Sequence, residues 1–157
     1  MNLKRRLTIV CLAVAGAAAG LLAPLAASGG PSQRLYLGMN LHLTGSNTSA
    51  GTFVASGAVA DSGAADVREL AIVPTGSADN GRLSGREIYT GRLGTIVTRF
   101  EGEAFPLSSP HEVGNGRFEI VSGTGPYAGL SGNGTFEIVV DEITNQLIGT
   151  EVGRVHP

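Results

Sequence analysis

From Leu35 to Thr44 the chain alternates. Leu35, Leu37, Met39, Leu41 and Leu43 fall on one side; Tyr36, Gly38, Asn40, His42 and Thr44 fall on the other. Apolar residues at period two predict a strand with one apolar face. The same short rhythm returns in "GTFVASGAVA", "DVRELAIVP", "GRLSGREIYT", "TIVTRFEGEAF", "RFEIVSG", "GTFEIVVD" and "QLIGTEVGRV". Turn-forming stretches separate them: "GSNTSAG", "DSGA", "TGSADNG", Gly91 to Gly94 and "EITN". "PLSSPHEVGNG" reads as a longer loop, because Pro106 and Pro110 bar helix and central strand alike. No stretch beyond Pro31 sustains a helical period. Eight short strands with turns between them predict an all-β domain, and tight connections favour a single eight-stranded antiparallel up-and-down barrel. Closure also removes exposed strand edges. The interior of such a barrel holds side chains or one small ligand. Period two says which residues share a face, and leaves open which face is inside.

The first residues have a different character. Lys4, Arg5 and Arg6 precede an uncharged, apolar run from Leu7 to Leu25, followed by the small residues of "LAASGGPS". This is the layout of a secretory signal peptide. Residues 1–29 are therefore expected to be a signal helix and 30–157 the β-barrel domain, secreted and without a stable membrane span after cleavage. Cleavage removes three of the eleven Lys and Arg, leaving eight against thirteen Asp and Glu. The remaining cations are all Arg, and an acidic domain without Lys clusters argues against nucleic acid as a partner. Cys11 lies within the leader, so the mature domain has no disulfide and depends on packing.

The segment "SGTGPYAGLSGNGTF" could be taken for a phosphate loop. It misses the G-x-G-x-x-G spacing by one residue, lacks a Gly-Lys-Ser/Thr ending, and runs from strand to strand. It reads better as a bend: Gly123 and Gly125 allow positive φ or close approach, Pro126 sets the corner, and Tyr127 and Leu130 pin the bend to the barrel. With "GRFEIVS" before it and "GTFVASGAVADSG" far upstream, this segment resembles a group of small secreted bacterial proteins, which in turn resemble the allene oxide cyclase barrel and, more remotely, plant dirigent proteins. The resemblance in order of elements covers most of the mature chain, and the specific motif covers about its last quarter. It implies a calycin-like eight-stranded barrel, often trimeric. None of the cyclase's catalytic positions maps onto this sequence, so the resemblance carries no activity with it.

Candidate chemistry is sparse. The three histidines, His42, His111 and His156, lack metal-ligand spacing, and no metal or other cofactor is expected. Asp61, Asp66, Asp79 and Asp141 sit at or near turns, where Asx-type hydrogen bonds explain them better than calcium does. Ser131 and Ser84 lack the setting of a nucleophile elbow. Glu101 and Glu103 share a face of one strand, and Glu87 and Tyr89 on the preceding strand could join them as acid, base and proton donor. The competing reading is a solvated face with Arg–Glu pairs. Tyr36, Asn40, His42 and Arg99 are candidates for ligand binding, the first three as a polar floor if their face lines the barrel.

The expectation is a binding or structural module for a small apolar ligand, not an enzyme. The alternative is a cyclase-, isomerase- or dirigent-like barrel steering a reactive intermediate with Glu87, Tyr89 or Glu101. A third possibility is a homo-oligomeric module whose Leu35 to Leu43 face is buried against sister subunits.

Overall fold

A computed structural model describes residues 31–76, 80–108 and 110–156. The expected signal segment and Asp79 lie outside the described residues. The chain forms β1 (Gln33–Gly45), β2 (Thr48–Gly57), β3 (Asp61–Pro74), β4 (Gly81–Gly91), β5 (Thr95–Ser108), β6 (His111–Gly123), β7 (Ser131–Asp141) and β8 (Gln146–His156). Each strand pairs antiparallel with the next, and β8 pairs with β1, so the ring is closed. A single 3₁₀ turn, Gly125–Tyr127, interrupts the β6–β7 connection.

The alternation sorts the faces. Leu35, Leu37, Met39 and Leu41 are buried, and the register sets them beside Ala55, Phe53 and Gly51 of β2 and Glu151, Gly149 and Leu147 of β8. The Leu35 to Leu43 face thus lines the interior. This corrects the expectation that it could form an outer stripe for sister subunits: once the sheet closes, an apolar face is removed from water most completely inside. Burying each leucine contributes roughly 1.5–3 kcal/mol.

The interior is filled by pairing rings with glycines. The Phe118 ring lies over Gly134 and Gly153, Phe136 over Gly116, and Phe100 over Gly85. Phe100 and Phe136 meet edge to face at 5.4 Å, as do Phe53 and Tyr89 at 5.2 Å. A large ring needs a bare neighbour to lie flat against the strand.

Three boundaries differ from the sequence reading. The "PLSSPHEVGNG" segment is mostly strand: β5 runs to Ser108 and β6 starts at His111. Pro106 is accommodated because β4 pairing ends at Gly81–Ala104, so beyond that point only β6 flanks β5. Asp61, Ser62 and Gly63 open β3 and are not a turn, since Asp61 already pairs with Ala55. The β1–β2 turn contracts to Ser46 and Asn47, with a register shift between Leu43 and Gly45.

Replacing Phe118 with Ala should leave a cavity over two bare glycines and cost about 3–5 kcal/mol. Urea unfolding should show this as a lower midpoint with an unchanged slope; a change under about 1 kcal/mol would mean the ring is not a core filler.

Candidate functional site: a carboxyl pair in the barrel interior

The two ends of the barrel differ. One end is closed by the glycine-rich bend. Gly125 takes φ +60, a conformation that strains residues bearing a Cβ. The turn it permits drives Tyr127 inward, and the Tyr127 hydroxyl donates to Asp61 Oδ2 at 2.8 Å. Asp61 also accepts from the amides of Ser62 (2.8 Å), Arg92 (3.2 Å) and Leu93 (3.2 Å). Burial alone would raise its carboxyl, but these four donors outweigh burial and hold it below its ordinary 3.8. Tyr127 is pushed up to about 12, by burial first and by Asp61 second. One carboxylate thereby ties β3, the β4–β5 turn and the β6–β7 bend together.

Toward the other end the interior is apolar. A small space of about 20 Å³ is lined there by Met39, Leu41, Val67, Leu70, Phe100 and Leu147, with Glu87 at its inner side. That volume suits one water. Ser49, cross-strand from Val67, is buried with its hydroxyl oxygen unpartnered.

Beside this space lies the chemistry. Glu87 shares a register level with Thr98 on β5 and Val67 on β3, which turns its side chain inward. It is 6% exposed, and Glu151 is 1% exposed. β4 and β8 stand on opposite sides of the eight-membered ring, so the two carboxyls approach each other across the interior. Tyr89 donates its hydroxyl proton to Glu87 Oε2 at 2.8 Å, and Thr98 Oγ1 donates to the same oxygen at 3.2 Å. The Met39 sulfur lies 4.0 Å from the Tyr89 oxygen.

A donor count then bears on protonation. Tyr89 and Thr98 have one hydroxyl proton each, and both serve Glu87. With the pair fully ionised, both Glu151 oxygens are buried without a hydrogen-bond partner. A proton on one carboxyl lets the two bond to each other. Burial raises both groups, Glu151 well above its ordinary 4.5, with the Glu87 charge adding to the rise. Tyr89 is likewise raised, by burial and then by the two carboxylates, so it stays a donor. The pair therefore holds a proton well above the usual carboxylate range and can offer an acid and an acceptor side by side.

Of the residues proposed from sequence, Glu87 and Tyr89 are brought together in this interior. Glu101 is not: it is exposed, on the outer face of β5 between Ser84 and Arg117, and cannot join them through the wall. Tyr36, Asn40 and His42 also point outward and form no polar floor, because the leucines opposite them took the interior. Tyr36 packs under Arg34 at 5.7 Å, and Asn40 accepts from Gln146 at 3.0 Å. Arg99 is exposed on the outer face. Glu151 was missed. It sits in the inward register of Leu147, Gly149, Gly153 and Val155, so an acid in an otherwise apolar or bare period-two series was the available signal.

Among the described residues no group of His, Asp and Glu could hold a metal ion. No family model, curated protein or solved structure matches the chain.

Raised carboxyl values make the folded state bind more protons than the unfolded one. Stability from the pair is therefore complete below 4.5 and declines as pH rises through the folded values. Asp61, held low, acts oppositely and loses its contribution in acid. Glu151→Gln should flatten the decline between pH 5 and 8 on the order of 1 kcal/mol or more. Thermal melts across that range check this; parallel wild-type and variant profiles would contradict it.

Proposed function

We propose that this protein is a secreted binding module whose barrel mouth takes a small apolar ligand bearing one hydroxyl or amine head. The observation that carries the reading is the buried Glu87–Glu151 pair beside a small apolar space: both hydroxyl donors serve Glu87, and a shared proton satisfies one Glu151 oxygen, which leaves the other free to accept. Burying polar groups unpaired costs roughly 1–3 kcal/mol each, more for charged groups, which pure packing gives no reason to retain. A head group that donates a hydrogen bond removes that cost. The tail would lie among Leu41, Leu70 and Leu147, and the flexible Met39 is the side chain best suited to yield. The unpartnered Ser49 hydroxyl at the same end supports a polar contact near the entrance. Kinship with the cyclase-like barrels belongs to the same proposal and is supported by strand number and closure.

A second reading has an observation of its own. Two coupled carboxyls with a tyrosine donor form the kind of set that shuttles a proton during isomerisation.

Methyl NMR with 1-octanol, octylamine and octane tests the binding reading. The two headed ligands should shift Met39, Leu70 and Leu147, and Leu70→Trp should abolish the shifts, while Leu93→Trp at the opposite end leaves them intact. Octane binding as well as octanol, or no shift from any of them, would overturn the reading.

A further inference from the structure

Independently of the interior, the outer wall carries an unusual arrangement of charge. The register aligns Arg68 of β3 with Arg86 of β4, and Arg86 with Arg99 of β5. Three arginines thus stand directly beside one another across three strands. Strands lie about 5 Å apart, so the row spans about 10 Å. The row continues through Glu119 on β6 to Asn133 on β7. All five residues are exposed. None of the three arginines forms an ion pair with a described carboxylate. Like charges directly opposite one another destabilise a sheet. Arg86 and Arg99 of the row, together with Arg117, line a groove of about 600 Å³. Glu69 stands at the groove's rim with φ +58, in the bulge where pairing skips from Arg68 to Ala71. A left-handed glutamate is costly backbone, and such cost collects at working surfaces.

We propose that this groove binds a short acidic oligosaccharide, its carboxylates on the arginine row and its hydroxyls on the flanking acids and amides. The arginine fork matches a carboxylate bidentately, and the row has no internal partner to displace. Glu69, Glu101 and Glu119 repel a continuous polyanion but accept hydrogen bonds from sugar hydroxyls, with Ser84 and Asn133 as neutral partners. Nucleic acid fits poorly. The groove's rings, Phe100 and Phe118, are 5% and 2% exposed and offer bases no stacking surface.

Trigalacturonate, maltotriose and a single-stranded thymidine oligonucleotide are the probes, titrated calorimetrically at low salt and again at high salt. Trigalacturonate should bind and weaken with salt, and maltotriose should not bind. Arg86→Gln, at the centre of the row, should lose affinity by about tenfold or more while melting no lower than wild type, because it also removes repulsion. Arg92→Gln, in the β4–β5 turn and outside the groove's lining, should bind as wild type does. Absent trigalacturonate binding, equal binding of maltotriose, tighter binding of the oligonucleotide, or unaltered affinity in the stable Arg86→Gln variant would each overturn the proposal.

Discussion

An eight-stranded ring encloses a fixed volume, and that volume must be filled. The requirement governs the structure. Leucines and phenylalanines occupy the interior because closure hides that face from water, and glycines occupy it wherever a ring must lie flat against the wall. Polar residues move outside as a consequence of the same alternation. A carboxyl that remains in the inward register therefore stands out physically: it occupies space an aliphatic side chain would fill with less desolvation. Glu87 and Glu151 are two such groups, set on opposite walls, and together with Tyr89 and Thr98 they form a small polar centre within an apolar barrel.

The two ends divide the work. At one, Asp61 gathers four donors and fastens the glycine-rich bend over the barrel. It is a fully satisfied carboxylate, held in its charged form. At the other, Glu151 is held toward its protonated form beside Glu87, while both hydroxyl donors serve Glu87. Burial raises both carboxyls; at Asp61 the four donors reverse the rise, and at Glu151 the Glu87 charge adds to it. One acid is structural cement; the other has unused bonding capacity.

Much of the fold was legible in the residues. Alternation in "LYLGMNLHLT" and "QLIGTEVGRV" marked strands, and short connections marked a meander. The reading of "GTGPYAG" as a bend agrees with the observed turn, in which Tyr127 is pinned inward. What alternation lacks is a sign. It paired Tyr36, Asn40 and His42 correctly but left open whether they faced in or out, and closure decided it. Register was also invisible, so Pro106 looked like a breaker when it sits beyond the end of β4 pairing. Long-range partnership was hardest. Glu87 and Glu151 meet only because β4 and β8 lie across the ring, and the arginine row exists only once three strands are aligned.

The central claim is that the interior carboxyls retain a proton where ordinary glutamates are ionised. Carbon-detected NMR of side-chain-labelled glutamate, titrated from pH 3 to 9, measures it directly. The account predicts that two carboxyl resonances titrate above the rest, coupled to each other, and that changing either residue to glutamine removes its own signal and shifts the titration of the other. If every glutamate in the protein titrates near 4.5, the pair is two independent surface-like acids and the account is wrong.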